Sequence, residues 1–93
     1  MRTVYKYELE VRDGIQFVTV PRGAKFLHLD HQGNPLRISL WFEVDTDEFL
    51  VHDREFQVFG TGHSLPQIGW DYRGTTIHLT VGLVWHVYER VYS

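Results

Sequence analysis

The feature that most constrains the fold is a strict alternation of apolar and polar residues between positions 36 and 44. Successive side chains of a β-strand point to opposite faces, so this period of two predicts a strand buried on one face. Trp41 falls on the polar face, where we expect it to pack under a loop or to form an exposed contact. The apolar face of this predicted strand consists of Leu36, Ile38, Leu40, Phe42 and Val44.

The same alternation recurs along the chain, and no segment of ten or more residues keeps a helical period. We therefore predict an all-β fold, a single small antiparallel β-sandwich or barrel of about seven or eight short strands. Residues 68–72 are either a short strand or an extended loop, and one helical turn is compatible with residues 46–51. The other predicted strands cover residues 5–12, 15–19, 24–31, 54–59, 74–80 and 83–92.

Two glycine turns predict hairpins. Asp13-Gly14 favours a three-residue loop that pairs Val11 with Ile15 and Leu9 with Phe17, with Gly14 in the left-handed conformation.

Near the end of the chain, Val81-Gly82 predicts a two-residue turn. That turn would pair His78 with Trp85 and His86 with Ile77.

Composition limits the classes of function. The chain has 93 residues, which predicts a single β domain over 1–93, and its 43% hydrophobic content excludes a disordered chain. The net charge is −3 and the nine Lys and Arg residues are dispersed, which disfavours duplex nucleic acid as a partner.

Cysteine and membrane signals are both missing from the sequence. The absence of cysteine rules out disulfides and thiolate ligands. The polar beginning and the lack of an apolar run of about 18 residues predict no signal peptide and no membrane partner. We therefore expect a cytoplasmic location.

The segment Gly60-Thr61-Gly62-His63, which follows a predicted strand, is the main candidate for a functional loop. In one interpretation it is a structural corner, where the glycines allow positive φ or close backbone approach and His63 donates to a carbonyl. In the other, its amides form a concavity for a phosphate or carboxylate, with Thr61 and His63 as further donors. The candidate ligand-binding residues are Gly60, Thr61, Gly62, His63, Trp70, Trp85 and His86.

The six histidines raise the question of a metal site. His28 and His31 are three apart on one predicted strand and so face opposite sides, and the predicted final hairpin separates His78 from His86 in the same way. We therefore predict no metal ligands and no cofactor.

Catalytic signals are equally weak. Ser64 and Thr61 lie beside His63 in sequence, but adjacency does not supply the geometry of an activated nucleophile. The sequence contains no Gly-x-Ser-x-Gly elbow, no HExxH motif and no Walker loop. We therefore predict no catalytic residue and a non-enzymatic protein.

Several short segments resemble a family of small phage and prophage proteins of unknown function. The most specific are Gly60-Thr61-Gly62-His63 and Trp85-His86-Val87-Tyr88-Glu89. The resemblance runs nearly end to end and implies action in the cytoplasm of an infected bacterium. The other similar segments are Val4-Tyr5-Lys6-Tyr7, Pro21-x-Gly23-Ala24, Trp41, Pro66, Tyr72-x-Gly74-Thr75 and Leu83-Val84.

Three functional hypotheses follow. The first is a binding protein that holds a host protein or a small nucleotide signal of a defence system. The second is a structural, virion-associated homo-oligomer, which the aromatic content and the unpaired strand edges also support. The third is a histidine-based metalloenzyme. The first fits best with the aromatic-rich β fold and the absence of a catalytic motif.

Overall fold

A computed structural model describes residues 1–66 and 68–91, and it confirms an all-β fold. Seven antiparallel strands form a three-stranded sheet in the order β1-β4-β3 and a four-stranded sheet in the order β2-β5-β7-β6, and these pack as a sandwich. The strands are β1 (Arg2–Glu10), β2 (Gln16–Pro21), β3 (Lys25–Asp30), β4 (Arg37–Asp45), β5 (Val51–Gly60), β6 (Trp70–His78) and β7 (Leu83–Arg90). Tyr92, the last residue of the predicted final strand, lies outside the described residues.

The hydrophobic core lies between the two sheets and is organised around β4. Phe42 is fully buried, and its ring packs edge-to-face against Tyr7, Phe26 and Phe56. The predicted alternation of this strand is confirmed, except that Leu36 precedes the strand and is exposed. Trp41 points outward and stacks on His28 with ring centroids 6.0 Å apart. The buried apolar residues are Leu9, Val18, Val20, Leu29, Ile38, Leu40, Phe42, Val44, Phe56, Val58 and Val87.

The predicted hairpin between the first two strands is wrong. β1 pairs with β4 and β2 pairs with β5, so the connection through Gly14 crosses from one sheet to the other. Gly14 has the expected positive φ of 92°, but pairing with β4 places Leu9 opposite Ile38 in the core. The side chain of Gln16 hydrogen-bonds both backbone groups of Glu10 at 2.8 and 2.7 Å, which joins the two sheets where no strand pairing exists.

The connection after β4 contains no helical turn. Thr46 and Asp47 form a tight turn in which the Glu48 N–H donates to the Asp45 carbonyl at 3.1 Å, and the chain then runs irregularly to β5. A hydrogen bond between positions three apart closes one turn but does not continue into a helix. No helix among the described residues is long and apolar enough to cross a membrane.

The final hairpin differs from its prediction in two ways. The two segments predicted over 68–72 and 74–80 merge into the single strand β6, which has a bulge between Tyr72 and Gly74. Its connection to β7 spans residues 79–82, so His78 pairs with Leu83 and His86 pairs with Thr75. The predicted register is therefore wrong, although His78 and His86 still lie on opposite faces.

Candidate functional site

The predicted loop is a closed corner at the end of β5. The His63 N–H donates to the Gly60 carbonyl at 3.1 Å, and the Gly60 N–H donates to His63 Nδ1 at 3.1 Å. His63 therefore accepts from the backbone through its ring, whereas the sequence predicted that it donates to a carbonyl. Gly62 has a φ of 90°, which favours glycine. The amide of Gly60 is thus committed within the loop, which favours the interpretation as a structural corner over an anion-binding concavity.

Close packing accounts for the glycine at position 60. A Cβ atom there would lie 2.9 Å from Cε1 of His63 and 3.2 Å from Cζ3 of Trp85. The imidazole of His63 lies over the backbone of Gly60, and the indole of Trp85 lies close beside it. This contact lies on the inner side of the sheet. It joins Gly60-Thr61-Gly62-His63 to Trp85-His86-Val87-Tyr88-Glu89, the two most specific segments of the family resemblance.

The same two segments also meet on the outer side of the sheet. His86 Nε2 is 2.9 Å from the Thr61 hydroxyl, and His86 Nδ1 is 2.9 Å from the Thr75 hydroxyl. The Thr75 hydroxyl in turn hydrogen-bonds the Tyr72 hydroxyl. A neutral imidazole donates through one nitrogen and accepts through the other. The row Thr61–His86–Thr75–Tyr72 is therefore a continuous chain of hydrogen bonds on an exposed surface.

Two further aromatic rings, those of Phe59 and Tyr88, lie next to this chain of hydrogen bonds on the same surface. Tyr88 packs edge-to-face against Phe59 and against Tyr72, with ring centroids 5.6 Å apart in each pair. Tyr72 remains 55% exposed. We call this surface the aromatic face, and it comprises Phe59, Thr61, Tyr72, Thr75, His86 and Tyr88.

The outer surface of the three-stranded sheet has a different character. Apart from the Trp41–His28 stack and Val4, its strands present mainly charged side chains, including the pair Arg2–Glu43. The two outer surfaces therefore offer different chemistry. The aromatic face groups rings and hydroxyl groups, whereas the outer surface of the three-stranded sheet is mainly ionic.

Neither of the two tryptophans predicted for the site belongs to the aromatic face. Trp85 points to the inner side and packs against the core, and with His63 and Val58 it lines a cavity of ≈ 160 Å³. Its indole Nε1 is buried and has no hydrogen-bond partner among the described residues. Trp70 begins β6 and pairs with Arg90, at the end of the hairpin away from Gly60.

Sequence reasoning missed a buried ionic cluster on the inner side of the same sheet. Arg54 forms a bidentate pair with Glu89, Arg73 Nε donates to Glu89 Oε1 at 2.8 Å, and Arg54 also donates to the Ala24 carbonyl at 2.7 Å. The Arg54 guanidinium lies 4.8 Å from the centre of the Phe42 ring. Burial acts to raise the pKa of Glu89, but the hydrogen bonds and charges of the two arginines outweigh it and lower that pKa below its usual value.

The ionic cluster borders an open pocket of ≈ 330 Å³ whose lining includes His52 and Val20. Both carboxylate oxygens of Glu89 already accept hydrogen bonds from arginine. The cluster therefore holds β5, β6 and β7 together. Glu89 ends the similar segment Trp85-His86-Val87-Tyr88-Glu89 and Arg54 lies on β5, and only the pairing of β5 with β7 shows that they meet.

A second missed cluster joins the two sheets at their edges. His31 follows β3 and His78 ends β6, and their rings pack edge-to-face with centroids 5.2 Å apart. Sequence reasoning compared His28 with His31 and His78 with His86, but β3 and β6 bring together one member of each pair. Within residues 1–66 and 68–91, no three His, Cys, Asp or Glu side chains are grouped so as to hold a metal ion.

Comparison with known proteins places the whole chain in one family. No curated protein and no solved structure matches it. A family model described as a domain of unknown function, DUF7352, matches residues 1–93. The protein therefore belongs to the DUF7352 family of domains of unknown function.

Proposed function

We propose that this protein is a non-enzymatic binding protein that holds its partner on the aromatic face. The observation that carries this proposal is the contrast between the two outer surfaces of the sandwich. Aromatic rings and hydroxyl groups are grouped on the aromatic face, outside the hydrophobic core. Tyrosine is enriched at binding hot spots because it combines a large apolar ring with a hydrogen-bonding group.

The chemistry of this face suits a partner that stacks and forms hydrogen bonds. Tyr72 offers an exposed ring, while the chain through His86 offers hydroxyl groups at fixed positions. A surface loop of a protein and the base of a nucleotide both have this character. The resemblance to phage proteins supports a partner in the cytoplasm of an infected bacterium, either a host protein or a nucleotide signal of a defence system.

The proposal is tested with two matched tyrosine variants. Tyr72→Ala removes an exposed ring from the aromatic face, whereas Tyr5→Ala removes a 42% exposed ring from the other sheet. We expect calorimetry against a panel of nucleotide messengers, or affinity capture followed by purified reconstitution, to identify a partner of the wild-type protein. Tyr72→Ala should weaken binding at least tenfold, and Tyr5→Ala should leave it unchanged. The proposal fails if no partner is found, or if both variants bind equally well.

A virion-associated homo-oligomer is the second candidate, and a different surface supports it. The start of β5 and the residues before it expose consecutive apolar side chains, with Phe49 88%, Leu50 47% and Val51 65% exposed. Mass spectrometry of purified virions would find a structural protein at a fixed copy number. Light scattering of the purified chain would show a discrete oligomer that dissociates in Phe49→Ser. A monomer that is absent from virions excludes this candidate.

A further inference from the structure

We propose that His31 and His78 form a two-histidine site for a divalent transition-metal ion of the Ni²⁺, Cu²⁺ and Zn²⁺ group. The site lies where the edge strands β3 and β6 of the two sheets meet. It is separate from the aromatic face and does not depend on the function proposed above.

The protonation of His31 follows from its neighbours. The Thr76 hydroxyl donates its only proton to Asp30 Oδ1 at 2.8 Å. The same hydroxyl oxygen is 2.9 Å from His31 Nδ1, so it must accept a hydrogen bond there, and Nδ1 is the protonated nitrogen. In the neutral ring, Nε2 of His31 then carries a lone pair.

The protonation of His78 follows in the same way. Its Nε2 is 3.2 Å from the Gly33 carbonyl, which only accepts hydrogen bonds, so Nε2 is protonated. The lone pair of His78 is therefore on Nδ1. Both of these lone-pair nitrogens, His31 Nε2 and His78 Nδ1, are buried and have no hydrogen-bond partner among the described residues.

Two buried acceptors without donors require an explanation, and a bound ion or water is the usual one. The other nitrogen of each ring is arranged as in metal sites, where a ligating imidazole donates its second N–H to an oxygen that fixes the ring. Thr76, backed by Asp30, does this for His31, and the Gly33 carbonyl does it for His78. With centroids 5.2 Å apart, the rings are near enough to share one ion at a metal–nitrogen distance of about 2.0–2.1 Å.

The surroundings define the kind of site. An open pocket of ≈ 290 Å³ lined by both histidines, Asp30 and Thr80 gives access from solvent. Since no third protein ligand is grouped with the two rings in the described part of the chain, water completes the coordination. Imidazole ligands favour Cu²⁺ over Ni²⁺ and Zn²⁺, and they do not suit Mg²⁺ or Ca²⁺.

The electrostatics favour the ligating form of His31. Burial and the neighbouring His78 lower the pKa of His31, against the opposing effects of the Pro35 backbone and Asp30. A lowered pKa favours the neutral imidazole, which is the form that binds metal.

The test uses the full chain, untagged and freed of metal by a chelator. Calorimetry with Cu²⁺ and Zn²⁺ should show one equivalent bound, with Cu²⁺ the tighter. His31→Gln and His78→Gln should each weaken Cu²⁺ binding at least tenfold. His52→Gln, which changes an exposed histidine on β5, is the matched control and should bind as the wild type does.

Because either site variant could perturb the junction of the sheets, a second measurement uses the wild-type protein. Substoichiometric Cu²⁺ should broaden the NMR signals of the His31 and His78 rings before those of the other four histidines. Broadening that begins at another histidine, or the absence of a saturable one-equivalent site, overturns the proposal and leaves a buried water as the partner of both nitrogens.

Discussion

At the scale of single residues, Gly60 and Gly62 have different physical reasons to be glycine. Gly60 leaves room for the ring of His63 and the indole of Trp85, whereas Gly62 adopts a positive φ. The sequence predicted glycines that serve either purpose in this loop but not which glycine serves which. A side chain packed over a backbone becomes visible only when the chain is folded.

The two reasons predict different effects when His63→Ala is added to a substitution of the glycine. Gly60→Ala should lower the free energy of unfolding by about 1–3 kcal/mol, as expected for overpacking. Adding His63→Ala removes the nearest clashing atom and should recover part of that loss. Urea denaturation of the single and double variants measures both effects.

Gly62→Ala is the control for this rescue. It should cost about 1–2 kcal/mol through backbone strain alone, so His63→Ala should not offset it. Equal rescue at the two positions would show that the packing of His63 on Gly60 is not the reason for the glycine.

At the scale of strands, the ionic cluster ties β5 and β7 to the bulge of β6. Glu89 is only 5% exposed, and its two oxygens accept from Arg54 and Arg73. The bulge between Tyr72 and Gly74 turns Arg73 toward Glu89. Strand periodicity predicted no charged residue in the interior. The alternation of apolar and polar residues does not show which charged side chains will find a partner inside the fold.

Removing one partner of this cluster should be costly. Glu89→Gln leaves two arginines facing an uncharged side chain, and we expect a loss of about 3–5 kcal/mol in unfolding free energy. Chemical denaturation at pH 7 measures it.

An exposed ion pair provides the comparison. Glu10→Gln removes the partner of Arg12 and Arg37 on the surface and should cost no more than about 1 kcal/mol. If the two substitutions cost the same, the buried cluster does not stabilise the fold as described.

At the scale of the whole molecule, the two sheets are joined at one edge by the contacts of β3 with β6. His31, Asp30, Thr76 and His78 form this junction through hydrogen bonds and ring packing. The groups that face His31 are Asp30 on its own side, His78 on β6 and the Pro35 backbone. The junction therefore couples the stability of the sandwich to the protonation of a half-buried imidazole.

The sign of this coupling follows from the direction of the shift. The pKa of His31 in the folded protein is below its ordinary value of 6.5, so the unfolded chain binds protons first as the pH falls. The stabilising contribution is complete above about pH 6.5 and is lost as the pH falls through the folded pKa. Thermal denaturation with chelator present should show this loss, and His31→Gln should flatten the profile below about pH 6.5.

Two carboxylates contribute to the pH dependence of stability at lower pH than His31 does. The pKa values of Asp30 and Glu89 are lowered, so their contributions persist until the pH falls below the usual carboxyl range. If the pH profile of thermal denaturation is unchanged in His31→Gln, His31 does not control the stability of the protein near pH 6.5.

The sequence by itself determined the all-β class, the position of most strands and the buried face of β4. These depend on the period of two, which local backbone geometry imposes whatever the strand pairs with. Ile38 and Phe42 were therefore correctly placed inside.

Only the tertiary structure decided which strands pair and which side chains meet. Gly14 favours a hairpin locally, yet β1 gains more by covering β4, where Leu9 lies opposite Ile38. The pairing of β5 with β7 brings Thr61 to His86, and the packing of the two sheets brings β3 to β6 and hence His31 to His78. Burial of apolar surface is shared among the whole chain, so the choice of partners is settled by the complete fold and not by any one segment.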